Sequence, residues 1–248
     1  MTERAVNEEQ TELYQRQSTL GLGVPDEISI IGVGGTGVWT GILCAMIGVP
    51  KISLFDDDII ERHNLSRLPF PEESLGKKKT EVLKDFIKTI RPECTILIHD
   101  GIHNESDMFK LVGTVFDCND DIRIQEMIYK YCKKFNINYI SVGCNANHIT
   151  VTSNVEKLWG PGGDRYVVTP MFIVPPMLSS LCAVWNVVKN KHKVDLLLNI
   201  REMFTESVAS SDVPAECSSC PMMDGCEGCI IHSTESYELC ECCPVSRE

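Results

Sequence analysis

The sequence predicts an α/β protein built on a doubly wound, mostly parallel sheet. Short apolar runs of strand length alternate with longer runs of helix length over about 150 residues. A glycine-rich turn, "GVGGTG", joins the first predicted strand to the first helix of this pattern, and acidic residues follow two later strands. Because parallel strands end at one edge of a sheet, we expect these groups to meet there and to bind a nucleotide.

The first two strand–helix pairs follow from local patterns. The apolar run 27–33 ends in glycine, as a buried strand often does, and the run 36–48 is apolar nearly all round, which is typical of a helix packed on a sheet. A second apolar strand follows at 51–56. The stretch 76–92 spaces its apolar residues three and four apart and ends in proline, so it predicts an amphipathic helix.

The remaining elements follow from the same patterns. A polar helix over 7–19 precedes the sheet. Further strands are predicted at 94–99, 113–118 and 138–144, an antiparallel strand at 148–153, and helices at 121–135 and 176–190. From residue 209 large apolar residues are scarce, so we expect a folded domain over 1–208 and a Cys-rich tail over 209–248.

Charge and hydropathy exclude several classes of protein. The 248 residues include 23 basic and 35 acidic side chains, for a net charge of −12. Non-specific binding to nucleic acid or to an anionic membrane needs a positive field, so neither partner is expected. The N-terminal "MTERAVNEEQ" is too polar for a signal peptide, and prolines interrupt the longest apolar run. We therefore expect a cytoplasmic protein.

The glycine turn predicts a nucleotide site. Glycine permits a tight turn and a close approach of the backbone to phosphate, and the helix that follows offers N–H groups. Asp56 ends the second strand 24 residues after the first glycine, near the usual spacing of a ribose ligand, and by alternation Asp58 shares its face while Asp57 points away. A dinucleotide-dependent oxidoreductase would show the same features. The predicted phosphate-binding glycines are Gly32, Gly34, Gly35 and Gly37.

Further motifs separate the chain from such an oxidoreductase. In chain order they are Arg16-Gln17, the glycine turn, Asp56-Asp57-Asp58, Asn64-Leu65-Ser66-Arg67, Gly76-Lys77-Lys78-Lys79 and Asp117-Cys118-Asn119-Asp120-Asp121. With these motifs the chain resembles the ThiF/MoeB/HesA family, the adenylating enzymes for ubiquitin-like and sulfur-carrier proteins, over about residues 12–190. The resemblance implies a ThiF-type adenylation domain on a Rossmann-like sheet.

The resemblance also implies a role for each matching side chain. The groups that would surround the phosphates of ATP are Asn64, Arg67 and Lys79. Asp120 would bind Mg²⁺ and Asp56 the ribose, with Asp58 assisting the metal or holding the Arg67 loop. Arg16 would reach a phosphate, in this family often from the partner subunit, so a homodimer is expected. Lysines at a helix N-terminus are unfavourable because they lie at the positive end of the helix dipole. Their placement is therefore independent support for an anion bound there.

The chain departs from the family pattern at two places. The final Asn of the last motif is Asp121 here. Members that form a thioester usually carry the nucleophilic Cys in the crossover after strand 138–144, but residues 148–170 contain no Cys. Cys144 and Cys182 are expected to be packed thiols. The protein would then stop at the acyl adenylate and pass it to a sulfur donor or another thiol, or use a tail cysteine as acceptor.

The tail holds seven of the 13 cysteines. Two C-x-x-C pairs suit tetrahedral zinc, although the gap between them is shorter than in a typical zinc ribbon, and disulfides or transfer chemistry are the alternatives. The predicted zinc ligands are Cys217, Cys220, Cys226 and Cys229. Cys240, Cys242 and Cys243 are left without an assigned role.

We therefore predict an adenylyltransferase. It would use ATP and Mg²⁺ to activate the C-terminal carboxylate of a small ubiquitin-like, β-grasp protein and release pyrophosphate, with thioester or sulfur transfer as a following step. Two other functions fit part of the pattern. One is a dinucleotide-dependent oxidoreductase on the same fold, and the other is a non-catalytic, metal-stapled interaction protein.

Overall fold

The computed structural model describes residues 12–157, 171–189 and 193–204. Its strands are β1 (Ile28–Ile31), β2 (Lys51–Phe55), β3 (Thr95–His99), β4 (Thr114–Asp117), β5 (Tyr139–Cys144), β6 (His148–Thr152) and β7 (Asp195–Asn199). They form one sheet in the order β3-β2-β1-β4-β5-β6-β7. Strands β1 to β5 are parallel, and β6 pairs antiparallel with both of its neighbours. The predicted doubly wound, mostly parallel sheet is confirmed.

Helices cover both faces of this sheet. They are α1 (Gln15–Ser18), α2 (Gly35–Met46), α3 (Lys79–Ile90), α4 (Ile122–Phe135), α5 (Val174–Val188) and α6 (Ile200–Phe204), with 3-10 turns at Arg62–Ser66, Glu72–Ser74, Glu105–Lys110 and Val155–Lys157. Ile42, Leu83 and Val184 bring α2, α3 and α5 into the core on one face. Ile128 of α4 and Met108 belong to the core on the other face. Burial on both faces explains why the central strands are continuous apolar runs.

The turn between β1 and α2 is as tight as the glycines suggested. Gly32 has a φ of +83°, a conformation that other residues rarely adopt. A Cβ added to Gly37 would lie 1.8 Å from the carbonyl oxygen of Gly32. The first turn of α2 therefore packs directly on the end of β1, where the strand order reverses between β1 and β4.

Two features of the sheet and its covering helices differ from the sequence-based expectations. Strand β7 had not been predicted, because "DLLLN" is short and does not alternate, and it forms by pairing along the edge that β6 offers. The apolar pattern over 176–190 indicates a core position for Trp185, but this residue is 57% exposed on α5, as is Leu181 at 48%. An apolar helix on the outer layer buries one stripe only, so its opposite stripe stays at the surface.

Two expectations about organisation concern the ends of the chain. The sheet belongs to one unit of the chain, Met1–Arg201, and the boundary expected at residue 208 stays a prediction. Of the polar helix expected over 7–19, the described residues are helical at 12–13 and in α1. Within the described ranges, no helix is both long and apolar enough to cross a membrane.

Replacing Gly37 with alanine should destabilise the protein by at least about 3 kcal/mol, because backbone on both sides of the clash prevents relief by a side-chain rotation. Gly34→Ala is the matched control, since a Cβ there meets no atom within 4 Å. Thermal denaturation of both variants checks this. Equal melting temperatures for the two variants would contradict the packing described here.

Candidate active site

A cavity of about 970 Å³ opens at the carboxyl ends of the parallel strands. It is lined at one end by the glycine turn and the residues that follow β2, and at the other end by residues of β5, β6 and β7. This is the position in which open α/β sheets bind their ligands. The predicted site residues that line it are Gly32, Gly34, Gly35, Asp56, Asp58, Asn64, Arg67, Lys79 and Asp120.

Asp56 ties the end of β2 to the glycine turn. Its Oδ2 accepts a hydrogen bond from the backbone N–H of Val33 at 2.6 Å, and its Oδ1 accepts one from the N–H of Asp58 at 2.9 Å. Burial raises the pKa of the Asp56 carboxyl, and the positive charge of Lys79 opposes that shift. A partly buried carboxylate at this position retains lone pairs for ribose hydroxyls.

The carboxylates of Asp56, Asp57 and Asp58 each place an oxygen within 4.8 Å of the others. The expectation that Asp57 points away was therefore wrong. It assumed strand alternation, but β2 ends at Phe55 and the acids lie in a loop. Asp57 instead faces the cavity, where its Oδ2 lies 3.4 Å from Nε2 of His103.

Lys79 is the first residue of α3 and is only 8% exposed. Its ammonium donates to Oδ2 of Asp58 at 2.6 Å, and its backbone N–H donates to the carbonyl of Asp58 at 3.1 Å. Lys77 is exposed, and Lys78 donates to the backbone carbonyl of Asp57. Of the three lysines, the one assigned to phosphate is thus the one whose charge is held at the cavity.

Asn64 and Arg67 come from the 3-10 turn Arg62–Ser66 and the residue that ends it. Asn64 is 5% exposed, and its Oδ1 accepts from the N–H of Glu61 at 3.0 Å. The aliphatic part of the Arg67 side chain lies over Gly35, where a Cβ would come within 3.1 Å of Cδ. Arg67 is thereby placed above the N-terminus of α2, where a phosphate would bind.

The acidic residues of the motif at 117–121 have different structural roles. Asp120 is exposed to the cavity. Asp121 is the N-cap of α4 and accepts from the N–H of Arg123 at 2.9 Å. Since Asp and Asn cap helices about equally well, the departure from the family's Asn leaves this role intact.

Asp117 lies fully buried beneath that loop. Its Oδ2 accepts from the hydroxyl of Tyr139 at 2.8 Å, and its Oδ1 accepts from the side chain of Asn119. Loss of solvation outweighs these hydrogen bonds and raises the pKa of the Asp117 carboxyl to about 7. The carboxyl therefore shapes the 118–121 loop without facing the cavity.

Two predicted site residues lie away from the cavity wall. Gly37 acts through its packing on β1. Arg16 lies on α1, which is anchored by a 2.8 Å hydrogen bond from Gln17 to the carbonyl of Ile47. Ile47 follows the C-terminus of α2, about 18 Å from the helix start at 1.5 Å per residue. Arg16 therefore lies near the opposite end of α2 from the cavity of its own chain.

Several cavity residues escaped the sequence analysis. His63, His103 and His148 carry no metal-ligand spacing, and the fold alone brings them to the cavity. Its position next to Asn64 in the sequence was the one local signal that could have placed His63 at the cavity. Gln125, on the second turn of α4, also lines the cavity and donates to the backbone carbonyl of Asn119.

The two cysteines expected to be packed thiols are unactivated. Burial raises the pKa of both Cys144 and Cys182. Cys144 lines the cavity, with its sulfur 3.6 Å from Oγ1 of Thr36 and 3.7 Å from Sδ of Met171. A raised pKa keeps the thiol protonated, which disfavours it as a nucleophile. The zinc ligands predicted in the tail, Cys217, Cys220, Cys226 and Cys229, lie outside the described residues.

Comparison with known protein families decides the relationship that the motifs suggested. The sequence model of the ThiF family matches residues 25–170, more than half of the chain. The chain belongs to the ThiF family. The matched segment contains the glycine turn, the acids after β2, Lys79 and the 117–121 loop.

Curated relatives carry several different activities. A tRNA threonylcarbamoyladenosine dehydratase of Haemophilus influenzae is 36% identical over 121 residues, which are 47% of this chain and 46% of the relative. Ubiquitin-like modifier-activating enzyme 5 of Drosophila virilis is 28% identical over 138 residues, 50% of this chain and 34% of the relative. This ThiF-family chain thus matches about half, or less, of the length of these relatives.

Solved structures share the fold at low sequence identity. PaaA superposes with a TM-score of 0.67 at 20% identity, covering 82% of this chain and 74% of its own. MccB of E. coli, solved with ATP, superposes with a TM-score of 0.60 at 20% identity, covering 77% of this chain and 67% of its own. Both matches confirm the ThiF-type arrangement of sheet and helices.

Asp117→Asn should remove a pH dependence of stability. The pKa of Asp117 in the folded protein, about 7, lies above the ordinary 3.8, so the folded state holds this proton more tightly than the unfolded state. The stability that the proton contributes is present at low pH and is lost as the pH rises towards 7. Between about pH 5 and pH 8 the loss is on the order of 2 kcal/mol.

Urea unfolding of the wild type and of Asp117→Asn at both pH values measures the effect. The asparagine keeps an oxygen for the Asn119 donor and carries no titrating proton. Parallel pH dependences in the two proteins would show that Asp117 is already ionised at low pH.

Proposed function

We propose that this protein adenylates the C-terminal carboxylate of a small ubiquitin-like protein of β-grasp fold, using ATP and releasing pyrophosphate. The observation that carries the proposal is the convergence of Asn64, Arg67 and Lys79 on one cavity that begins at the glycine turn. A hydride-transfer enzyme has no use for two fixed cations and a buried carboxamide at this place. Membership of the ThiF family also supports adenylation. A metal-stapled interaction protein would not need this cluster of phosphate-binding side chains.

In the proposed reaction a carboxylate oxygen of the acceptor forms a bond to the α-phosphorus of ATP. The bond between that phosphorus and the oxygen bridging to the β-phosphorus breaks, and pyrophosphate leaves with the electron pair. Negative charge grows on the α-phosphate oxygens and on the leaving group. Arg67, above the helix N-terminus, and Lys79, beside Asp58, would stabilise that charge electrostatically.

The charges around the cavity support a divalent cation as cofactor. Five carboxylates line this cavity together with the two basic side chains Arg67 and Lys79, so the cavity by itself disfavours a polyphosphate. The carboxylates are Asp56, Asp57, Asp58, Asp120 and Asp121. Mg²⁺ takes oxygen ligands and binds through one or two carboxylates together with phosphates, so this donor set fits it. We assign Asp120 as the protein ligand, and bound Mg²⁺ would neutralise charge on the departing pyrophosphate.

The far end of the cavity supports an extended acceptor. Beyond the glycine turn it continues past Cys144 to Thr150 and Leu197. Leu197, 68% exposed on β7, the outermost strand among the described residues, offers an apolar surface for an extended peptide. A flexible Gly-Gly-type tail would lie along this end with its carboxylate towards the nucleotide.

A tRNA-linked nucleoside is the second candidate acceptor, because the H. influenzae relative is named for one. The net charge of −12 argues against it, since tRNA binding draws its affinity from neutralised phosphates. The assay below tests this acceptor beside the β-grasp carriers.

Exchange of radiolabelled pyrophosphate into ATP should depend on the carrier protein and on the site residues. Lys79→Ala and Asp120→Ala should each lower the exchange rate by on the order of 100-fold, as loss of one transition-state contact does. Lys77→Ala is the matched control and should leave the rate unchanged, because Lys77 is exposed and does not line the cavity. Exchange that depends on tRNA, or tight binding of NAD(H) without any exchange, would refute the proposed substrate.

A homodimer forms part of the proposal. Arg16 lies too far from the cavity of its own chain, so it would complete the site of a second copy. The exposed Leu181 and Trp185 on α5 form an apolar surface of the kind found at subunit interfaces. The Cys-rich tail is proposed to bind zinc.

Mixing two inactive variants tests the exchange of Arg16 between copies. Random pairing of Arg16→Ala chains with Lys79→Ala chains makes half of the dimers mixed, each with one intact site of two, so about a quarter of wild-type exchange should return. Mixing Lys79→Ala with Asp120→Ala is the control, since both residues line one chain's cavity and no activity should return. Without recovery in the first mixture, Arg16 does not act across subunits.

A further inference from the structure

The orientation of the Asn64 carboxamide is fixed by its neighbours. Its Oδ1 accepts from the backbone N–H of Glu61, so its amide nitrogen must face the other way. That nitrogen lies 2.9 Å from Nε2 of His63. Because a carboxamide nitrogen only donates, Nε2 of His63 must accept, and the imidazole must carry its proton on Nδ1.

Glu61 favours the same form of the imidazole. Its carboxylate oxygen lies 3.1 Å from Nδ1 of His63, where it accepts a hydrogen bond from the protonated Nδ1. At the backbone of His63, the guanidinium of Arg67 donates to the carbonyl oxygen at 3.1 Å. The three side chains thus form a hydrogen-bonded relay from Glu61 through His63 to Asn64. The charged groups in contact with His63 include Glu61 at the ring and Arg67 at the backbone carbonyl.

We propose that His63 is a positioning residue that holds the Asn64 carboxamide in place for adenylation, and that it does so only while its imidazole is neutral. The proposal rests on the function proposed above. Asn64 is nearly fully buried, so its carboxamide has little freedom to reorient. Its second amide hydrogen can therefore reach the phosphates only in the orientation that His63 holds. Second partners that orient a site group typically matter by a factor of 10 to 100 in activity.

A second proton on His63 would break the relay. Nε2 would then donate, and it would face the donating amide nitrogen of Asn64. The carboxamide cannot turn over without giving up the N–H of Glu61. Adenylation is therefore expected to be slower when His63 carries both protons.

A double-mutant cycle separates positioning from direct catalysis. His63→Ala should lower kcat of pyrophosphate exchange by on the order of tenfold. In an Asn64→Ala background the same change should have no further effect, because His63 then has nothing to hold. Effects that multiply would mean that His63 acts on the substrate by itself, and the proposal would fall. Arg62→Gln, an exposed change in the same 3-10 turn, is the matched control and should leave kcat unchanged.

The pH profile provides an independent readout. A glutamine at position 63 offers an accepting oxygen that does not titrate, so His63→Gln should restore most of the activity lost in His63→Ala. Its activity should also fall less than that of the wild type as the pH is lowered. A His63→Gln profile that falls at low pH as the wild type does would place the responsible proton on another group and overturn the dependence on neutral His63.

Nitrogen-15 NMR of histidine-labelled protein tests the relay without any substrate. The signal assigned to His63, identified by its loss in His63→Gln, should report a proton on Nδ1 and none on Nε2. A proton on Nε2 at neutral pH would refute the relay. Because this readout needs no turnover, it decides the role of His63 even if no carrier supports exchange, whereas missing exchange would count against the proposed function alone.

Discussion

The close packing of Gly37 on the carbonyl of Gly32 is the constraint on which the rest of the site depends. It brings the N-terminus of α2 down onto the end of β1, beside the point where the strand order reverses. From that position the N–H of Val33 is within reach of Asp56, which joins β2 to the turn. Arg67 can cross above the same helix end because Gly35 has no side chain. Moving α2 outward by the width of one methyl group would separate all three.

A second constraint is electrostatic, and it concerns how Lys79 tolerates burial. An ammonium that is mostly removed from water is costly unless a charge and hydrogen-bond acceptor compensate it, and Asp58 supplies both at 2.6 Å. Asp58 thus competes with the phosphate oxygens that Lys79 is proposed to contact. A bound nucleotide would share Lys79 with Asp58 or displace that carboxylate, and a displaced carboxylate beside Asp56 and Asp57 would favour a divalent cation. Binding of nucleotide and metal would therefore be coupled.

The sequence predicted the features that are local, and the structure added those that depend on assembly. Buried strands are continuous apolar runs, and the glycine turn has its own spacing, so β1 to β6 and the cavity's position could be inferred. The strand at 195–199 could not, since its pattern is weak and its pairing depends on β6. The exposure of Trp185 could not be predicted, because the sequence of a helix that is apolar on all sides does not indicate which stripe faces outward. His63 was missed because its importance lies in contacts with Glu61 and Asn64 and not in spacing.

The motif at 117–121 shows why residues that resemble a family pattern need not share one task. Asp117 is fully buried against Tyr139, and its carboxyl shapes the backbone that follows β4. Asp121 satisfies the first N–H groups of α4, a task that an asparagine performs equally well. Asp120 and Asp121 both line the cavity, and of the motif's three acids Asp120 is the most exposed. The two scaffolding acids on either side hold its backbone, so that in the proposed function the Asp120 carboxylate would meet a metal–phosphate complex without rearrangement of the loop.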